Sequence, residues 1–358
     1  MGLLSLNLYA LSPENCEILI LQAGRGSFMS VLVTGGAGYI GSHMVHELRD
    51  AGQRLVVLDN LSTGHRRALP GDVPLVVGDA GDPACVTSTI LDYGVNAIIH
   101  FAGSIIVPDS VTDPLGYYHN NTVNSHALMA CAVACGVRHF IFSSTAAVYG
   151  MPETSPVGED TAPAPISPYG SSKLMTEIML RDTAAAHDFN YVALRYFNVA
   201  GADPKGRCGQ STPNATHLIK VAAQTALGQR SHLDVYGTDY PTPDGTCIRD
   251  YIHVCDLTRA HTAALAYLRD GGASQVLNCG YGRGFSVLEV IEAVKRASGS
   301  DFEVRMGARR AGDPANLVAD AGRLPELLGW KPAYDDLETI VAHAYAWEEH
   351  LFALKAAS

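Results

Sequence analysis

Val31-Leu32-Val33-Thr34 is a short apolar run, and Gly35-Gly36-Ala37-Gly38-Tyr39-Ile40-Gly41 follows it directly. A helical pattern then runs from Ser42 to Asp50. Strand, glycine turn and helix in that order constrain the fold more than any other feature of the chain. Glycines at 35, 38 and 41 let the backbone approach a pyrophosphate at the helix N-terminus. Their spacing is Gly-x-x-Gly-x-x-Gly, not the Gly-x-Gly-x-x-Gly of the dinucleotide-binding fingerprint. The next apolar run, Arg54 to Leu58, ends in Asp59 and Asn60. A carboxylate there accepts hydrogen bonds from an adenosine ribose and repels a 2′-phosphate. The plainer reading of Asp59 is a turn residue before Asn60.

The pattern repeats. Pro74 to Gly78 reads as a strand, with Asp79 at its C-terminal end. Ala97 to His100 reads as another, ending in Phe101-Ala102-Gly103. Phe140 to Phe142 precedes Ser143-Ser144-Thr145, and Val192 to Phe197 precedes Asn198. Helical stretches separate them, including a long one from Tyr117 to Cys135 whose Asn120 and Asn121 are poor helix formers. Alternating strands and helices predict an α/β fold, a doubly wound parallel sheet of Rossmann type. The C-terminal ends of such strands face the ligand crevice. His100 reads as a packing residue at a strand end.

From Ala200 the loops lengthen and glycine and proline become more frequent. The expected division is an extension over 1–28, a nucleotide-binding domain over 29–199 and a smaller mixed α/β substrate domain over 200–358. His217 to Arg230 looks helical, and Leu233 to Tyr236 looks like a strand with Tyr236 free to stack on a base. Arg249 lies in one loop and Arg309 and Arg310 together in another, and the three could clamp a diphosphate. Their plain alternative is surface charge.

Tyr169 and Lys173 open a helical run that continues from Leu174 to Arg181, so they share one face a turn apart. An ammonium beside a phenol favours the phenolate, which makes Tyr169 a candidate acid–base group. Taken alone, the pair also fits a solvated surface face.

A net charge of −11 argues against a nucleic-acid partner or an anionic membrane surface. No apolar run reaches the length of a membrane span. The eight cysteines show neither a zinc spacing nor a disulfide framework, so no metal is expected and a reducing, cytoplasmic setting is. Met29 stands immediately before the first strand, and the residues before it lack a basic n-region, which marks them as an extension rather than a signal peptide.

Together, the stretches VLVTGGAGYIGSH, VVLDN, IIHFAG, FIFSSTAAVYG, SPYGSSKLMTE, LRYFNVAGA, DYPTPDGTCIRDYIHVCDL and RRAGDP resemble the extended short-chain dehydrogenase/reductase superfamily. Within it they resemble the UDP-glucose 4-epimerase family, from Val31 to Pro314. The glycine turn and Tyr-x-x-x-Lys are superfamily-wide, whereas DYPTPDGTCIRDYIHV and RYFNVAGA are far more specific to the epimerases. The resemblance implies NAD on the turn of Gly35, Gly38, Tyr39, Ile40 and Gly41. It implies ribose contacts at Asp59 and Asn60 and adenine-side contacts at Asp79 and Ala80. Phe101, Ala102, Gly103 and Asn120 would line the cofactor, and Lys173 would hold the nicotinamide ribose. Tyr169 matches the base and Thr145 the bridging hydroxyl. Thr145, Asn198, Leu218, Tyr236, Arg249, Arg310 and Asp313 match positions around a UDP-sugar. A homodimer is the expected assembly.

The chain departs from the family at three places. Ile105 stands where several members carry lysine, Thr145 replaces a serine, and His217 replaces an asparagine. After Asp313 the match slips by about a residue, so the position that gates N-acetylated sugars is not assigned to Asn316 or Leu317. A nucleotide-sugar 4,6-dehydratase would carry an acidic pair where Ala146 and Ala147 stand. A non-catalytic NAD-binding regulator would lack the Tyr/Lys pair. A UDP-pentose or UDP-N-acetylhexosamine substrate remains open.

Overall fold

The computed structural model describes residues 29–212, 215–310 and 312–356. The expected extension over 1–28 lies outside the described residues. Seven parallel strands form the central sheet: β1 (Ser30–Thr34), β2 (Leu55–Asp59), β3 (Leu75–Val77), β4 (Val95–His100), β5 (His139–Thr145), β6 (Asn190–Tyr196) and β10 (Gln275–Cys279). Their spatial order is β10-β6-β5-β4-β1-β2-β3. The order reverses between β1 and β4, which opens a crevice at their C-terminal ends.

Strand alternation assigns each face its helices. Val31, Val33 and Val57 pack on one side with Met44 and Leu48 of α1 (Tyr39–Asp50). Leu257 and Ala264 of α6 (Val254–Arg269) join them there. Leu32, Val56 and Phe140 pack on the other side, with Ile90 of α2 (Pro83–Tyr93). Leu128 of α3 (Asn124–Ala134) and Leu180 of α4 (Pro168–Ala186) complete that layer.

Two elements beyond residue 200, α6 and β10, therefore belong to the central sheet. β10 pairs in parallel with β6, Leu277 opposite Leu194. Its Leu277 and Cys279 are buried there. The rest of the second half builds a smaller body. It holds β7 (Asn198–Ala200), β8 (Leu233–Tyr236), β9 (Ile248–His253), β11 (Gly284–Ser286), β12 (Val304–Gly307) and β13 (Asn316–Leu317). Its core joins α5 (Leu218–Ala226), α7 (Val287–Ser298) and α8 (Leu337–Ala356). The helix expected over His217 to Arg230 ends earlier, because Gly228 takes a left-handed φ of 70°.

The long helix expected from Tyr117 to Cys135 is interrupted by a π-helical turn over Tyr118–Val123. That turn brings both asparagines onto one loop residue. Asn120 Nδ2 donates to Ser104 Oγ at 2.8 Å, and Asn121 Nδ2 donates to the Ser104 carbonyl at 3.0 Å. Such turns cluster at functional sites.

Candidate active site

The tips of β1 and β4 touch behind the glycine turn. Gly35 has φ 68°, and a Cβ there would lie 2.6 Å from the Ala102 nitrogen. Phe101 donates its N–H to the Thr34 carbonyl at 3.0 Å. No side chain caps α1, whose N-cap is Gly38. The first N–H groups of the helix, at Tyr39, Ile40 and Gly41, therefore suit an anion. Ile40 packs on the core, and Tyr39 donates its hydroxyl to the Gly201 carbonyl at 2.7 Å. This ties the turn to the second half of the chain.

Asp59 lies buried beneath the turn. Its Oδ2 accepts from the Ala37 N–H and its Oδ1 from the Leu61 N–H, each at 2.8 Å. Each oxygen keeps a further lone pair for a ribose hydroxyl. Asn60 is exposed and accepts from the Ser62 N–H at 3.0 Å. Asp79 is exposed beside buried Ala80, and its Oδ1 accepts from the Gly81 N–H at 2.8 Å and from Asn124 Nδ2 at 3.3 Å. An uncapped helix start, side-chain-free backbone and a fixed carboxylate fit a dinucleotide such as NAD.

The chemistry-bearing side chains meet at the tip of β5. Ser167 caps α4 by accepting the Gly170 N–H at 3.2 Å, with Pro168 at the first helical position. The helix thus presents Tyr169 and Lys173 on one face, as their spacing predicts. Both are buried. Lys173 Nζ donates to the Ser143 carbonyl at 3.1 Å and sits 5.0 Å from the centre of the Phe142 ring. Burial lowers its pKa to about 8.

Tyr169 does not follow the expectation of a phenol made acidic by Lys173. Burial pushes its pKa well above the usual phenol value, and Tyr196 and Tyr117 add to the rise. The group that pulls it down is the side chain of Thr145. Desolvation of the phenolate outweighs the protein's own stabilising groups. Of the three hydroxyls at the strand tip, Thr145 Oγ1 accepts the Ala147 N–H at 3.1 Å. Ser143 Oγ donates to the Tyr196 hydroxyl at 3.0 Å and Ser144 Oγ to Glu177 at 2.5 Å.

His100 packs as expected. Its ring bonds Thr34 Oγ1 at 2.6 Å and Ser125 Oγ at 2.9 Å, and burial, with Lys173 nearby, lowers its pKa to about 3. The sequence reading missed Asn121. It is 2 % exposed, accepts the Ser104 N–H at 2.7 Å and donates to Ser172 Oγ at 3.0 Å. It therefore pins the Gly103–Ser104 segment to the Tyr169 helix. The Asn-Asn pair was the available signal, but which of the two turns inward depends on the π turn.

On the other side stand the candidate substrate residues. Asn198 is exposed on β7 and Leu218 begins α5. Arg310 stacks 3.8 Å above the centre of the Tyr236 ring, so one face of that ring is already covered. Arg249 Nη1 donates to the Pro314 carbonyl at 2.7 Å, and Nη2 lies 3.8 Å from Asp313. Arg309 is engaged elsewhere. Its Nε bonds Asp239 at 2.6 Å and its guanidinium stacks on Tyr240. Of the three arginines of the expected clamp, Arg309 is therefore already held by Asp239 and Tyr240.

Residues 31–280 match the NAD dependent epimerase/dehydratase family. The chain is 57% identical over 321 residues to a UDP-glucose 4-epimerase of Azospirillum brasilense, covering 90% of this chain and 92% of that one. It superposes on the UDP-glucose 4-epimerase of Brucella ovis in complex with NAD at a TM-score of 0.86 and 47% identity, covering 88% of this chain and 97% of that one. The UDP-Glc/GlcNAc 4-epimerase of Campylobacter jejuni aligns at a TM-score of 0.80 and 49% identity, covering 90% and 99%. With its glycine turn, its Tyr169/Lys173 helix and these likenesses, the chain belongs to the NAD dependent epimerase/dehydratase family, among the UDP-glucose 4-epimerases.

Proposed function

We propose that the protein interconverts UDP-glucose and UDP-galactose by inverting C4 of the sugar, with Tyr169 as the acid–base group. The observation that carries this is the burial of Tyr169 and Lys173 one helical turn apart on α4, with Lys173 Nζ on the Ser143 carbonyl at the β5 tip. Gly35, Gly38, Tyr39, Ile40, Gly41, Asp59, Asn60, Asp79, Ala80, Phe101, Ala102, Gly103, Asn120 and Lys173 hold NAD. When bound, NAD supplies hydride transfer at C4 and a positive ring that opposes the effect of burial on the phenol. Tyr169 takes the 4-hydroxyl proton, directly or through Thr145, and returns it at the end of the cycle. Lys173 keeps its ammonium on the Ser143 carbonyl. Arg249 and Arg310 neutralise the diphosphate, and Tyr236, Asn198, Leu218 and Asp313 bound the nucleotide and sugar.

UDP-galactose carrying deuterium at C4 is expected to give UDP-glucose that keeps the label, because the hydrogen leaves and returns within one site. Mass spectrometry of the product reads this directly. Label lost to water would sink the proposal in favour of deprotonation. Asp59 should also make the apoprotein bind NAD at least about tenfold more tightly than NADP, since a 2′-phosphate would meet a fixed carboxylate. Equal affinities by calorimetry would remove Asp59 from the ribose site. A second substrate class, UDP-N-acetylhexosamine, has the 49% identity to the Campylobacter jejuni enzyme in its favour. Turnover of both UDP-sugars, compared by chromatography, decides between a narrow and a broad enzyme.

A further inference from the structure

A buried ion pair stands behind the Tyr169 corner, and the proposed chemistry makes no use of it. Glu177 lies on α4 one turn past Lys173. Its Oε2 accepts from Arg195 Nη2 at 2.6 Å, and its Oε1 accepts from Arg195 Nε at 3.0 Å. The two side chains are 5% and 6% exposed. Arg195 Nη1 donates to the Tyr149 hydroxyl at 3.1 Å, which donates to Asn278 Oδ1 at 2.7 Å.

Stability is a poor reason for such a pair, because well-packed apolar residues usually serve as well. An apolar pair could not grip Ser144. Glu177 Oε1 also accepts from Ser144 Oγ, and Ser144 sits directly opposite Arg195 in the β5–β6 ladder. Ser144 lies between the two residues that touch the reacting side chains. The Ser143 carbonyl receives Lys173 Nζ, and the Thr145 side chain is the one that lowers the Tyr169 pKa. The helix that carries Tyr169 and Lys173 is thus bolted, by its own Glu177, to the strand that carries their partners. A forked Arg–carboxylate pair has one preferred geometry, so the bolt has little play.

We propose that Glu177 and Arg195 are positioning residues, which act through Ser144 to hold the β5 tip in register with α4. They keep the Ser143 carbonyl on Lys173 and set the position of Thr145 at the strand tip. The inference rests on Tyr169 being the acid–base group.

Ser144→Ala in the NAD-loaded enzyme removes the grip and leaves the ion pair whole. Turnover is expected to fall roughly tenfold with KM little changed, since small misplacements of reacting groups are costly. The pH–rate profile is expected to move to higher pH as Thr145, which lowers the Tyr169 pKa, shifts away from the phenol. A lower melting temperature with turnover and pH profile unchanged would show a merely structural contact and overturn the inference. Glu177→Gln, which keeps the size but breaks the fork, repeats the test if Ser144→Ala does not fold. It should show the same drop and the same shift, and an unchanged profile would again refute positioning. Tyr169→Phe separates the two assignments. If it loses turnover while both variants keep theirs, this inference fails alone. If it keeps turnover, the acid–base assignment fails first.

Discussion

Tyr169→Phe is expected to lower turnover by at least about a hundredfold, the usual worth of a positioned acid–base group. The ring of Tyr169 is buried. Phenylalanine keeps that packing and deletes only the hydroxyl. KM for the UDP-sugar should therefore stay within a few-fold, and the melting temperature should change little. Steady-state turnover in both directions, with calorimetric UDP-sugar affinity, measures the split. Near-normal turnover would take the proton-transfer role away from Tyr169. An equal loss of binding would make it a substrate anchor instead.

Gly41→Ala should abolish tight cofactor binding. A Cβ there would fall 2.1 Å from the Gly35 carbonyl oxygen and 2.7 Å from Gly36 Cα. Both obstacles are backbone, so neither can rotate out of the way. Overpacking of this kind costs about 1–3 kcal/mol, and the turn that must yield is the surface offered to the pyrophosphate. NAD affinity is expected to fall at least about tenfold, the equivalent of about 1.4 kcal/mol. The melting temperature should drop with it. Gly71→Ala is the matched control, because nothing lies within 4 Å of its added Cβ. Equal NAD affinity in Gly41→Ala and the unsubstituted protein would show that the pyrophosphate does not rest on this turn.

Much of this was legible because the informative residues are local. The Val31–Gly41 strand and turn, Asp59 at a strand end and the Tyr169/Lys173 spacing all express short-range geometry. Three things were not legible, and each depends on residues distant in sequence. Whether Lys173 or burial sets the Tyr169 phenol depends on what packs around it, and the ammonium turned out to be spent on the Ser143 carbonyl. Arg309 looked like its neighbour Arg310 until the fold gave it Asp239 and Tyr240. Glu177 and Arg195 are 18 positions apart on a helix and a strand, with no pattern to couple them in advance. The return of β10 to the sheet escaped notice because a strand pairs through its backbone, which its sequence does not advertise.

That return has a consequence during synthesis. β6 ends at Tyr196 and its neighbour β10 begins only at Gln275. A ribosome adding about 5–20 residues per second leaves the open side of β6 unpaired for on the order of ten seconds. Until then, the nascent chain exposes a nearly finished sheet whose free edge can recruit another strand. A chaperone that shields a bare strand edge would be most useful to this chain in that interval. A premature stop between the two strands would release a fragment with its most adhesive edge uncovered.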